Sequence, residues 1–390
     1  MEGTRNVLSD LKLRGGWGVL GNQAISYYSY QSVLDQANYS FGGTVVQGVA
    51  PVDGANRDLI WETTETLNFG LDMGFLGNQY TLSIEGYRKL TYDILMKLPV
   101  STLYGLNAPY QNAGKVKNTG LEITAGYKLN THGWNFQVSA NAAYNKNEVM
   151  DLKNGGARIW SGKYFNQEGY AINSIGGYIA EGLFKTEEEV ANSATIPGTD
   201  TAPGDIKYRD INNDGKIDGE DRVYIGNTMP KWTFGLNLFA EWKGLDATFL
   251  FQGAADVQGY LAGPGVVGEM IGAKGKPSYM YRDCWDAETN PNGKFPRAFS
   301  SYRQNNSIYN PSSFWIVNSS YLRLKNFQLG YTLPKEWCNM MGISRIRVYY
   351  SGQNLLTFTK FDKGFDPESP EGGSSYPQVK TNTFGLNITF

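Results

Sequence analysis

The strongest constraint in this chain is a period of two. Along residues 134–145, Trp134, Phe136, Val138, Ala140, Ala142 and Tyr144 alternate with Asn135, Gln137, Ser139, Asn141 and Asn145. Successive side chains of a strand point to opposite faces, so strict alternation demands a strand whose two faces meet different surroundings. Residues 119–130 repeat it, with Leu121, Ile123, Ala125, Tyr127 and Leu129 set against Glu122, Thr124, Lys128 and Asn130. So do residues 231–243, where Trp232, Phe234, Leu236, Leu238, Ala240 and Trp242 face away from Lys231, Thr233, Asn237, Glu241 and Lys243. The runs 66–76 and 383–390 behave alike. Many of these strands begin or end in Trp, Tyr or Phe, the pattern of membrane-spanning β-strands with aromatic girdles.

A soluble β-sandwich also alternates, so connection lengths must decide. About ten strands are expected: 10–20, 63–76, 79–95, 112–129, 134–150, 231–243, 245–260, 317–333, 345–359 and 380–390. The connections after the second, fourth and sixth are tiny: Gly77-Asn78, Asn130-Thr131-His132-Gly133 and Lys243-Gly244. The one after the eighth, Pro334 to Ser344, is modest. Every connection of the other parity is long: 21–62, 96–111, 151–230, 261–316 and 360–379. An outer-membrane barrel sorts its loops in this way, with short periplasmic turns and long extracellular loops, whereas a sandwich has no reason to. The expected class is therefore all-β, a transmembrane antiparallel β-barrel, with 151–230 and 261–316 as long extracellular loops. One strand resists: Phe327, Leu329, Tyr331 and Leu333 alternate cleanly, but Leu322 and Leu324 fall on the other face. A bulge near Lys325-Asn326, or a strand rising above the membrane, accounts for the slip.

Composition narrows the function. Among 390 residues there are 47 Gly and 26 Tyr, while charged residues make up 18%, below the roughly 25% of ordinary chains. No run of about 20 apolar residues exists to form a membrane helix. A formal net charge of −2 offers no basic surface for nucleic acid. The single His132 makes Ser-His-Asp or Cys-His chemistry improbable, and Cys284 and Cys338 lack C-x-x-C spacing. The start, Met1-Glu-Gly-Thr-Arg-Asn, has no basic region followed by an apolar one. The expectation is thus either a cytoplasmic protein or the C-terminal part of something longer, and the strands favour the latter.

Two loop motifs and the chain end stand out. Residues 210–221 place oxygen donors at loop positions 1, 3, 5, 9 and 12: Asp210, Asn212, Asp214, Asp218 and Asp221. Gly215 occupies the sharp turn at position 6, Lys216 offers its carbonyl at position 7, and Ile217 is an apolar anchor. This is calcium-loop spacing, with Asp221 in place of the usual Glu, and a structural Ca2+ is expected there. A polar turn closed by its own Asx hydrogen bonds is the alternative. Thr186-Glu-Glu-Glu189 reads as a capping box opening a short helix. The terminal strand ends Thr383-Phe-Gly385-Leu-Asn-Ile388-Thr-Phe390, and these residues look like the signal read by the outer-membrane assembly machinery. The loop aromatics Tyr164, Phe165, Tyr170, Tyr260, Tyr279, Tyr281 and Trp285 suit either sugar rings or packing of one loop on another, so no substrate residue is assigned.

The chain resembles the C-terminal part of a SusC/RagA-type TonB-dependent outer-membrane transporter. The carriers are Leu11-Lys-Leu-Arg-Gly-Gly-Trp-Gly, Gly204-Asp-Ile-Lys-Tyr-Arg-Asp-Ile-Asn-Asn-Asp-Gly-Lys-Ile-Asp and Tyr321-Leu-Arg-Leu-Lys-Asn-Phe-Gln-Leu-Gly-Tyr-Thr-Leu-Pro. Val348-Tyr-Tyr-Ser-Gly-Gln-Asn-Leu-Leu-Thr-Phe-Thr-Lys and Asp366-Pro-Glu complete the set. The resemblance implies a barrel of about 22 strands, of which this chain supplies about ten, with an N-terminal plug and TonB box outside it. It implies a Gram-negative, Bacteroidota-like outer membrane, a SusD-like surface lipoprotein and the TonB complex as partners, and import of oligosaccharides or, in some members, peptides. It implies no enzymatic activity. The alternative is an independent ten-stranded barrel acting as an adhesin or surface hydrolase.

Overall fold

The computed structural model describes residues 7–261, 282–298, 310–361, 365–369 and 378–390. Ten long strands form one antiparallel sheet in which each strand pairs with the next in chain order. They are β1 (Leu8–Asn22), β2 (Glu62–Phe75), β3 (Tyr80–Lys97), β4 (Tyr110–Thr131) and β5 (Trp134–Asp151), then β6 (Trp232–Trp242), β7 (Leu245–Ala255), β8 (Tyr321–Thr332), β9 (Arg345–Thr359) and β10 (Thr381–Thr389). Among the described residues β1 and β10 do not pair with each other, so the sheet stays open. That geometry speaks against a self-contained ten-stranded barrel.

The short turns follow from backbone chemistry. His132-Gly133 and Lys243-Gly244 both adopt positive φ at their two residues, as a two-residue hairpin turn matched to strand twist requires. Asn130 and Thr131 belong to β4, so that turn is tighter than the sequence suggests. The expected faces hold. Across β5, β6 and β7, Ala140, Leu236 and Phe251 stand in one row, and Ser139, Asn237 and Leu250 in the next. Phe69, on a strand paired on both sides, is 64% exposed on the outward face, where a membrane wall meets lipid.

The irregular strand resolves into a bulge. Leu250 pairs with Asn326 but Phe251 pairs with Leu324, leaving Lys325 as the extra residue. On the other side Leu324 pairs with Leu356 and Asn326 with Gln353. One added residue reverses parity, so Leu322 and Leu324 return to the lipid-facing row of Phe327 and Leu329. Two expected strands, 245–260 and 317–333, are shorter than anticipated, at Leu245–Ala255 and Tyr321–Thr332. The run 245–260 breaks at Asp256, φ 54°, and Gln258–Tyr260 leaves the wall to pair with Ile316–Asn318. That short ribbon carries the chain into the loops above.

Outside the two longest loops, a hairpin and a helix have no counterpart among the expected elements. Within 21–62, Leu34–Phe41 and Thr44–Pro51 form a hairpin around Gly42-Gly43, both at positive φ. The Gly-Gly pair between two eight-residue runs was an available signal. In the periplasmic connection, Lys335–Met340 is a short helix. The capping box does form a helix, Glu187–Ala191: Thr186 Oγ1 accepts from Glu189 N at 3.1 Å, while Glu189 reaches back to the N–H of Lys185 at 2.9 Å.

Candidate functional site

The luminal face of the wall is polar and cross-linked. Arg14 on β1 donates to Asp72 on β2 at 2.7 Å and, one strand further, to Glu85 on β3 at 2.7 Å. It can do so because Gly70 lies beneath it; a Cβ there would come within 2.9 Å of the guanidinium carbon. The motif recurs at the other end. Arg347 on β9 passes over Gly330 of β8 to reach Asp246 on β7, with Nε to Oδ1 at 2.9 Å. A side chain at either glycine would block the bridge. Asn68, Ser83 and Gln328 hydrogen-bond into these clusters. The face thus presents fixed charges and amides to whatever fills or crosses the lumen.

Above the wall, segments of the two long loops fold into one domain. Its core holds Ile175, Tyr178, Leu183, Ile206, Tyr208, Ile217, Tyr260, Cys284, Trp285 and Trp315. Residues from 151–230 supply Ile175 to Ile217, and residues near 260–315 supply the rest. Tyr178 N donates to Pro311 O at 2.8 Å, and Arg297 forks onto the fully buried Asp205 at 2.8 and 3.2 Å. Burial raises the Tyr208 and Tyr260 hydroxyls above their ordinary range and pushes the Cys284 thiol up to about 11. Arg222 stacks over Trp160 at 3.8 Å, and its burial lowers its pKa from the usual guanidinium value. Tyr260 and Trp285 are therefore packing residues of this core, with Tyr164 packed against it, and Phe165 is buried against Trp160. Tyr170 sits against Phe165 and Tyr224. Tyr279 and Tyr281 lie outside the described residues.

Loop 210–221 hangs from this core by Ile217, which is buried and whose N–H bonds Thr195 O at 3.0 Å. Gly215 takes φ 85°, as the spacing requires. The carboxylates turn to backbone N–H groups: Asp210 accepts from Asn213 and Gly215, Asp214 from Lys216, and Asp218 from Glu220. Asn212 accepts from Asp214 N at 3.2 Å. Asp221 is fully buried and ties the ends together, accepting from Ile211 N at 2.7 Å and Asp218 N at 2.8 Å. Lys216 lies 2.9 Å from Asp218. A backbone N–H from Glu220 and that ammonium hold the Asp218 carboxyl below its usual range. Among the described residues, no three His, Cys, Asp or Glu side chains converge as a metal-holding group.

A second tie, which no sequence pattern singles out, joins the Tyr321 and Asp366 blocks. Arg323 on the luminal row of β8 is buried and pairs with Asp366 and Glu368, each at 2.8 Å. Its Nε donates to Thr357 at 3.0 Å, and Lys325 at the bulge reaches Glu368 at 3.2 Å. Ser319 Oγ donates to Pro367 O at 2.8 Å. The segment after β9 is thereby latched toward the luminal side. Burial is the largest single influence on Asp366 and works to raise its pKa, but the hydrogen bond and charge of Arg323 together with the backbone N–H groups of Glu368 and Gln378 leave the net shift downward.

At the chain end, Thr383 and Gly385 stand in the luminal row, opposite Ser351 and Tyr349. Ile388 and Phe390 are on the outward side with Phe384 and Leu386, and Phe390 is 88% exposed.

Known proteins place this architecture. Residues 6–355 match the family model described as TonB dependent receptor-like, beta-barrel. The chain is 31% identical to TonB-dependent receptor P3 of Formosa agariphila over 99% of its own length and 40% of that protein's. It is 30% identical to TonB-dependent receptor SusC of Bacteroides thetaiotaomicron, covering 99% of the chain and 38% of SusC. The RagAB peptide transporter structure superposes with TM-score 0.78 at 28% identity, over 99% of this chain and 41% of that one. The chain spans about 40% of the length of the curated relatives it matches. With its lipid-facing wall and these relatives, the chain belongs to the TonB-dependent receptor β-barrel family of the outer membrane, on the SusC and RagA side of it.

Proposed function

We propose that this chain supplies wall strands and the extracellular loop domain of a TonB-dependent nutrient importer that takes up oligosaccharides. The carrying observation is the contrast between the outward apolar rows and the ion-paired luminal face formed by Arg14, Asp72, Glu85, Asp246 and Arg347. Such a wall separates lipid from a polar path. The similarity to SusC supports the importer reading, and the peptide transporter RagAB makes peptides the second substrate class. A SusD-like lipoprotein is the partner expected on the extracellular side, and the TonB complex on the periplasmic side. A strain lacking the gene, grown on panels of glycans and of peptides as sole nutrient, is the test. Loss of growth on one glycan, restored by complementation, supports the reading. A defect confined to peptides moves the substrate class, and growth on every nutrient at wild-type rate defeats the importer.

Two local roles belong to the same proposal. Thr383, Gly385, Ile388 and Phe390 form the signal for barrel assembly; removing Phe390 should lower the amount of folded protein in the outer membrane without changing its synthesis. Asp210, Asn212, Asp214, the Lys216 carbonyl, Asp218 and Asp221 form a seat for a structural Ca2+. Support comes from the Gly215 turn and the buried Ile217 anchor; against it, cation entry must displace Lys216 from Asp218. Calorimetric titration of the purified protein with Ca2+, repeated on Asp210→Asn, decides between a filled loop and one closed by its own hydrogen bonds.

A further inference from the structure

Three arginines above the wall are matched to acids: Arg209 to Glu181, Arg297 to Asp205 and Arg323 to Asp366. Arg158 and Arg222, both half-buried, are not. Among the described residues Arg158 donates from Nε to Gln167 Oε1 at 2.8 Å and from Nη1 to the carbonyl of Arg222. Arg222 makes one hydrogen bond there, from Nη2 to Gly162 O at 3.0 Å, and its buried Nε has no partner. Neither guanidinium meets a carboxylate of the described chain. Burial lowers the Arg222 pKa, Tyr178 and Tyr260 oppose that, and Arg158 adds to it. Two like charges therefore stand together in a partly desolvated place.

Aromatic packing brings these cations together. Ile159–Ser161 and Tyr164–Asn166 form a hairpin, turned at Gly162 with φ 62°. Ile159 packs on Val116, Val149 and Leu152, and Val149 shares the luminal parity of Ser139 in β5. The hairpin is thereby seated on the luminal side of the wall's extracellular end, with Trp160 on its other face. Arg222 lies 3.8 Å over the Trp160 ring; Arg158 is 6.0 Å from the same ring and 5.3 Å from that of Phe165. Stacking fixes where the guanidiniums stand but does not neutralise them. Planar forks held in place with N–H groups unpaired are the arrangement that clasps an acid group.

We propose that Arg158 and Arg222, held on Trp160, bind an acid group, carboxylate or sulfate ester, of an oligosaccharide entering at the extracellular mouth. This rests on the importer reading and narrows its substrate to acidic glycans. The ligand is an anion because two guanidiniums share one ring with no carboxylate of the described chain beside them. A neutral sugar would leave both charges uncompensated. The anion arrives with the substrate because the hairpin stands on the luminal side, where solute enters.

The test uses the full-length protein purified in detergent. The Trp160 signal is the fluorescence of wild type minus that of Trp160→Phe. Glucuronate or sulfated glucose should change it, the one with the lower midpoint naming the acid group, while glucose leaves it unchanged. Arg158→Gln and Arg222→Gln should each raise the midpoint about tenfold, as loss of one charge-assisted contact does. Arg222→Lys, which keeps the charge without the fork, should recover part of that loss. An equal response to glucose overturns the proposal by dispensing with the charge, and an equal response to acetate by dispensing with the sugar. No response to either acid sugar overturns it, as does a midpoint unmoved in both glutamine variants. A lower midpoint for a glutamyl peptide overturns the glycan and moves the site to acidic peptides. Binding is read without growth, so this proposal and the importer reading fail separately.

Discussion

The wall and the loop domain obey opposite rules within one chain. In the wall the apolar side chains point out and the charged ones point in, so Leu236 meets lipid while Arg14, Asp72 and Glu85 pair with one another on the luminal side. In the loop domain the order is the ordinary one, with Ile175, Ile206 and Trp315 buried and Lys216 and Arg209 on exposed ion pairs. Both regions keep ion pairs, but for different ends. Those of the wall fix neighbouring strands in a half-wet lumen, where screening leaves each pair a modest contribution. Those at the top, Asp205–Arg297 and Asp366–Arg323, bury at least one partner and hold distant segments together.

The largest test of that contrast is Arg323→Ala. It leaves two carboxylates without their guanidinium in a buried site, at a cost of about 3–5 kcal/mol. Hydrogen exchange at residues 365–369 should accelerate while β2 and β3 keep their protection. Next comes a matched pair in one strand. Leu236→Arg faces lipid and should destabilise the barrel by about 2–4 kcal/mol in vesicle-folding titrations, whereas Asn237→Arg faces the lumen and should cost far less. Equal effects would mean that the two faces are misassigned. Acid should loosen the latch. Against the raising effect of burial, Arg323 and the backbone N–H groups of Glu368 and Gln378 depress the Asp366 pKa, so its contribution is full above the ordinary carboxylate range and is lost as pH falls through the lower folded value. Protease sensitivity between β9 and β10 should rise on acidification, and Asp366→Asn should show that sensitivity already at neutral pH. The smallest expected effect is chemical. With its pKa near 11, Cys284 should react with iodoacetamide at pH 8 more slowly than a free thiol, and Asp205→Asn should speed it by opening the loop core.

The same contrast explains what could be read from residues alone. Wall strands announce themselves because one face touches lipid along its whole length, and even the bulge at Lys325 left a trace in the misplaced Leu322 and Leu324. The loop core left none. It is built from strands of three or four residues such as Ile206–Tyr208 and Ile159–Ser161, too short to show a period. Its decisive contacts, Tyr178 to Pro311 and Asp205 to Arg297, join residues about a hundred or more positions apart. Calcium-loop spacing was visible, as was the Ile217 anchor, but the role of Asp221 as a clasp on Ile211 and Asp218 follows only from geometry. Helix Lys335–Met340 was legible in principle through Trp337, Met340 and Met341, yet a single turn between two strands carries too little pattern to stand out.

Lys325 gives the wall a property akin to a reading frame. A strand between lipid and lumen counts its residues modulo two, and an insertion or deletion of one residue exchanges the faces of everything on one side of it. Lys325 is such an insertion, and Arg323 is in phase with Gln252 and Thr357 only because of it. Deleting Lys325 would turn Arg323 into the bilayer and Leu322 and Leu324 into the lumen, so a one-residue loss there acts as a frameshift in three dimensions.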